Sequence, residues 1–436
     1  MYARLAFRNA KHALSDYMIY MFTQILLFSM MFLSLFVAQI GKVEAGLQTA
    51  SLPMIIVLIS ILLVRYIHDF MFKQRAKEFA GYLLLGMEQP YIIRMFILEF
   101  VMISTLCFLI SILIDIGCVS LFGMILARHL SIMQYTSCFL QTLLYFVMML
   151  AIASCFIYSR MKHREIAQLL VEKRRNQKTV VKQEYYVWRR RAVSSFTILY
   201  LMIIGISFGS QSLALPMISC IAIPLIIAVY SFYHWLFLYL DKKRSVHDSR
   251  LYQKDHLYLA ATETSGYQTN SLLNSLFCLC LLFSIVSFLF GSSMFYTESL
   301  FGNQAVQAWM GFLQICICII FMILYFSILS LKIIITSSHQ RVEIKLMKYL
   351  GKDDKQLEIL LKKKTGIDLF LPVSLCALLL ITTLPLCNHK LNELLPAGIE
   401  NLYLLLAALY LIGFFIFYSC YCYLVYRMLK KNLLQV

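Results

Sequence analysis

The sequence predicts an all-α, polytopic membrane protein of about ten transmembrane helices. Three observations carry this: composition, recurrent apolar runs, and basic residues confined to alternate loops. Of 436 residues, 61% are hydrophobic and 14% charged, which is outside the range of an ordinary soluble domain. A helix crosses a hydrocarbon core of about 30 Å with about 20 mostly apolar residues. It also satisfies its own backbone N–H and C=O groups there. Runs of this kind occupy approximately residues 18–40, 53–64, 95–114, 139–159, 192–209, 213–240, 272–290, 306–331, 367–386 and 402–426.

Arg4, Arg8 and Lys11 precede the first run as in a signal peptide. The run is too long for one and lacks a small-residue cleavage site, so it reads as an uncleaved span. The second is short before Arg65, His68 and Asp69, and snorkelling side chains extend it to Phe70. Arg65 and Asp69 stand four apart, the spacing of a helical ion pair. Glu99 and Asp115 bracket the third span, so these four are the candidate intramembrane charges, placed near the interfaces for pairing or snorkelling. Gly205 and Gly209 in the fifth span have the spacing that permits close helix packing. The 13 cysteines lie mostly inside apolar spans, where a free thiol acts as a small hydrophobe, and neither a disulfide framework nor a metal site is expected. The Cys-x-Cys pairs, such as Cys278 and Cys280, would point to nearly opposite faces of a helix.

Lys and Arg number 39 against 22 Asp and Glu. With ten spans and the N-terminus inside, only Lys42, Arg128 and Lys390 fall in outside loops. That asymmetry is positive-inside retention, and it places both termini and the loop 160–191 in the cytoplasm. One helix more or fewer would throw the later basic loops to the wrong side. The basic balance is therefore topological and implies no nucleic-acid partner. The runs Lys173, Arg174, Arg175 and Arg189, Arg190, Arg191 have anionic lipid headgroups as their natural neighbours.

Two cytoplasmic loops repeat one element. After the second span the chain reads Glu78-Phe79-Ala80-Gly81-Tyr82-Leu83-Leu84-Leu85-Gly86. After the eighth it reads Glu343-Ile344-Lys345-Leu346-Met347-Lys348-Tyr349-Leu350-Gly351. Both have Glu, six residues, then Leu-Gly. Glycine there stops a short helix in a left-handed C′ conformation. Pro90 suits the first turn of the next helix, and Asp353, with Gln356 three residues on, suits its cap in the second copy. The repeat maps spans 1–4 onto 7–10 with two spans inserted. This gives a first four-helix module at 1–160, a basic linker with spans 5 and 6 at 161–250, and a second module at 251–436. An even insertion keeps both modules in one orientation.

The run from Lys77 to Met87, the basic start from Arg4 to Lys11 and the second Leu350-Gly351 element resemble FtsX-like permeases, most closely the ten-helix bacitracin-export branch. That resemblance implies a bacterial ABC transporter of the mechanotransmission type in the plasma membrane, with roles in antimicrobial-peptide or cell-envelope stress resistance. It implies a cytoplasmic ATPase, as a dimer, docked on short coupling helices, and a sensor histidine kinase as a further partner. The coupling residues would be Glu78, Tyr82, Leu85, Gly86, Glu343, Leu346, Leu350 and Gly351. That branch carries a large extracellular domain between spans 7 and 8, whereas only residues 291–305 bridge them here. Substrate recognition by such a domain does not carry over.

No Gly-x-x-x-x-Gly-Lys-Ser/Thr occurs, so the chain cradles no nucleotide phosphates in a P-loop. No cofactor is expected on this chain, and ATP would be handled by the partner. A polytopic membrane enzyme would need converging acid, base or metal groups in its spans. A non-transporting scaffold or sensor subunit is the other alternative.

Overall fold

The computed structural model describes residues 21–22, 24–36, 61, 78–79, 81–125, 132–162, 182–208, 221–245, 255–264, 267–296, 304–394 and 401–434. The long elements are all helical: α1 (Gln24–Phe36), α2 (Gln89–Ile125), α3 (Ile132–Lys162), α4 (Lys182–Phe208), α5 (Ala222–Ser245), α6 (His256–Thr264), α7 (Tyr267–Tyr296), α8 (Gln304–Tyr349), α9 (Asp354–Leu394) and α10 (Leu402–Leu434). Among the described residues, seven helices are long and apolar enough to cross a membrane, and α1 and the 314–330 stretch of α8 are shorter apolar helices. Nine of the ten predicted spans fall on these helices. The second, 53–64, lies outside the described residues apart from Ile61, as do Arg65 and Asp69.

The chain divides into two compact units, Met1–Asn176 and Gln177–Val436, so α4 and α5 fold with the second module. In the first unit Phe28, Phe108 and Phe146 draw α1, α2 and α3 together. The rings of Phe108 and Phe146 stack at 4.1 Å, and Phe28 meets them edge-on at 5.7 and 5.3 Å. Beside this cluster the Ser29 hydroxyl donates to the carboxylate of Asp115. Asp115 and Glu99 are both about 1% exposed, so they are enclosed by protein rather than snorkelling to an interface.

In the second unit α7 is the central element. Of its apolar window 78% is buried, against 28–39% for the other candidate spans. Its sequence shows why: Ser271, Asn274, Ser275, Ser284 and Ser287 interrupt the apolar run on faces that meet neighbouring helices rather than lipid. Gly291 of α7 and Gly311 of α8 allow the tightest described approach, since a Cβ on either would lie 2.8 Å from the other's carbonyl oxygen. Gly205 and Gly209 were the sequence-based expectation for such contact, and Gly209 lies outside the described residues. In α9, Pro372 removes one N–H from the helical ladder. Tyrosine hydroxyls donate to carbonyls around it, Tyr418 to Leu369 at 2.6 Å and Tyr233 to Leu371 at 3.2 Å.

One element departs from expectation. Residues 343–349 are not a separate short helix but the last turns of α8, which runs unbroken for 46 residues. At about 1.5 Å per residue that is about 69 Å, more than twice the hydrocarbon thickness. No Pro or Gly stands between Leu331 and Tyr349, so nothing in the sequence interrupts the helix before Gly351.

Candidate coupling turns and the charge network behind one of them

The two Leu-Gly elements share one backbone geometry, residue for residue, at an offset of 265. The Leu85 N–H donates to the Gly81 carbonyl at 3.0 Å, Gly86 to Leu83 at 3.1 Å and Met87 to Tyr82 at 3.0 Å. In the second copy Leu350 donates to Leu346 at 3.0 Å, Gly351 to Lys348 at 3.1 Å and Lys352 to Met347 at 3.1 Å. The last two bonds of each set form a Schellman cap, and the φ values of Gly86 and Gly351 are +87° and +89°. Three residues after each glycine a new helix starts, at Gln89 and at Asp354. Pro90 lies in the first turn of one, and Asp353 immediately precedes the other.

Burial repeats as well. Phe79 and Ile344 point inward, at 0% and 6% exposed, and the Phe79 ring packs edge-on against Phe96 of α2 at 5.3 Å. The tips point outward: Leu85 is 85% exposed and Leu350 86%. Beside them Leu84 and Tyr349 are also exposed, and neither was among the residues expected to dock. Two leucines this exposed at matching positions are unusual, and an apolar tip rimmed by charge is the composition of an interaction site. Leu346 is exposed, Tyr82 and Glu343 are half-buried, and Glu78 is exposed. The Glu343 carboxylate accepts the Tyr258 hydroxyl at 2.7 Å, so it faces α6.

Gly86→Val and Gly351→Val are expected to cost about 1–2 kcal/mol each through the left-handed φ. A Cβ there would meet nothing within 4 Å, so the strain acts on the backbone alone. Gly86→Asn and Gly351→Asn, which tolerate this conformation, should keep near-parental thermal midpoints. Equal losses for Val and Asn would contradict the capping account.

Behind the second turn lies a buried charge network. Lys332 of α8 stands 2.8 Å from Asp368 of α9, both largely enclosed. Glu263, at the end of α6, is 7% exposed and lies within hydrogen-bonding reach of Asp368. Lys364 adds a second cation, its ammonium group 5.7 Å above the Tyr258 ring. Burial pushes the Glu263 carboxyl up to about 7, Asp368 adds to the rise, and Lys332 and Lys364 oppose it.

The short helix α6 joins network and turn. Its far end touches the turn, with Lys352 on Asp255 at 2.6 Å and Tyr258 on Glu343, and its near end supplies Glu263. Along α9 the network lies about 21 Å from the turn, the rise of the 14 residues from Asp354 to Asp368. Neither Lys332 nor Glu263 stands out in the sequence, because each sits just outside an apolar run, where charge is ordinary. Asp368 lies just inside the predicted ninth span and was the available signal.

Because its folded-state carboxyl is raised from the ordinary 4.5, Glu263 contributes stability that is complete below about 4.5 and lost as pH rises through about 7. Glu263→Gln should therefore flatten the pH dependence of the thermal midpoint between those values. An unchanged slope would contradict the raised carboxyl.

Among the described residues no group of three or more His, Cys, Asp or Glu is placed to hold a metal ion. No curated protein matches the chain significantly. Residues 50–166 match the family model described as FtsX-like permease C-terminal, a stretch that holds the first turn together with α2 and α3.

Proposed function

We propose that this chain is the membrane-spanning permease subunit of a bacterial ABC transporter, driven by a separate cytoplasmic ATPase that docks on the turns at Leu85-Gly86 and Leu350-Gly351. One observation carries the reading: two Schellman-capped turns, 265 residues apart, each presenting an apolar tip that nothing among the described residues covers. The family match over the first turn supports it, since FtsX-like permeases work with such an ATPase. A helix end presenting leucine and tyrosine fits a groove as helical anchors do. The basic loops favour a topology with both termini and both turns in the cytoplasm.

The mechanism is mechanical. Movement of the docked ATPase pushes on the ends of α8 and α9, which are far longer than the membrane is thick, and α6 carries the displacement to the Lys332 and Asp368 pair. The cargo class is antimicrobial peptide or envelope lipid, with relay to a sensor kinase as a related output. Purified with all endogenous partners, the chain should bring down one ABC ATPase, and the complex should hydrolyse ATP. Stripped of that subunit, it should have no turnover. A fully active preparation containing this chain alone, or one that retains no ATPase under mild detergent, would sink the reading.

A further inference from the structure

A groove runs between α4 and α5, lined by Arg189, Val193, Phe196, Tyr200, Phe232 and Trp235, with a volume of about 340 Å³. Apart from the Arg189 head group and the Thr197 hydroxyl its wall is apolar and aromatic. From Arg189 to Tyr200 it extends about 16 Å along α4, close to half of a hydrocarbon core about 30 Å thick. It is thus one leaflet deep.

Its mouth is strongly basic. Tyr185 and Tyr239 lie 6.5 Å apart at the same level, which brings the start of α4 beside the end of α5. Arg189, in the groove wall, therefore has Lys242 and Lys243 of the α5 end near it, held on the rings of Tyr185, Tyr186 and Tyr239. Lys242 lies 4.3 Å from the Tyr185 ring and Arg191 4.8 Å from Trp188, so the cations are held on aromatic faces at the boundary. The acidic groups on these ends are Glu184 and Asp241, and Asp241 is engaged by Arg244 at 2.8 Å.

We infer that this groove is a binding site for one anionic phospholipid of the cytoplasmic leaflet, its acyl chain laid between α4 and α5 and its phosphate at Arg189. Charge complementarity fixes the head group, since a zwitterionic lipid gains little from Arg189 with Lys242 and Lys243 nearby. Size argues against a protein segment. A helix 10–12 Å across and about 16 Å long occupies on the order of 1,000 Å³ or more, several times the groove. The site is independent of whether an ATPase docks on the turns.

The test uses the full chain with Trp188→Phe and Trp309→Phe, which leaves Trp235 as the sole tryptophan, in phosphatidylcholine vesicles. Brominated phosphatidylglycerol should quench Trp235 several-fold more effectively per molecule than brominated phosphatidylcholine. Arg189→Gln should bring that ratio close to one, and Thr197→Phe, which narrows the groove, should reduce quenching by both lipids. Inorganic phosphate should not compete, because it lacks the chain. Equal quenching by both lipids in the parental protein, a preference that survives Arg189→Gln, or no quenching by either lipid would overturn the proposal.

Discussion

Lys332→Met is expected to be the most damaging single substitution in the second unit, lowering stability by about 3–5 kcal/mol. The change removes a cation standing 2.8 Å from Asp368 and leaves that carboxylate enclosed beside Glu263. For a unit of this size the loss corresponds to a fall of roughly 10 °C in thermal midpoint. Adding Asp368→Leu should recover most of it, because replacing both members of a buried pair with apolar groups is often neutral, whereas removing one leaves an uncompensated charge. Lowering the pH through about 7 should also soften the single defect by neutralising Glu263. A parental midpoint for Lys332→Met, or additive losses in the double variant, would show that the pair does not hold α8 to α9.

The fold was legible in this sequence because lipid imposes a crude, strong rule: an apolar run of sufficient length must be a helix. Hydropathy therefore located α1 to α5 and α7 to α10. The capped turns were legible for a different reason. Glycine at a helix end has one dominant conformational use, so Leu85-Gly86 and Leu350-Gly351 announced their geometry from two residues each. What the sequence did not disclose depends on three-dimensional adjacency. The 46-residue length of α8 was missed because charged residues after Leu331 read as a loop, although charge does not interrupt a helix. The meeting of Glu263, Lys332 and Asp368 joins three helices and has no local signature. Nothing in the sequence separates Phe79 and Ile344 from the leucines beside them, and their burial does.

The central claim, that two capped turns receive the ATPase, is tested most directly by charging their tips. Leu85→Asp and Leu350→Asp each place a carboxylate where an apolar anchor should enter a groove. The expected cost is ~2 kcal/mol or more per site, about 30-fold in Kd. Both side chains are over four-fifths exposed, so the chain itself should keep its thermal midpoint. Loss of binding is then separable from loss of folding. The measurement is the affinity of the purified ATPase for vesicle-reconstituted parental, single and double variants, with Lys178→Ala in the basic loop as control. The account predicts weakening of ~30-fold in each single variant, near-complete loss in the double, and a parental value for the control. Parental affinity in the Leu85→Asp/Leu350→Asp double variant would contradict it.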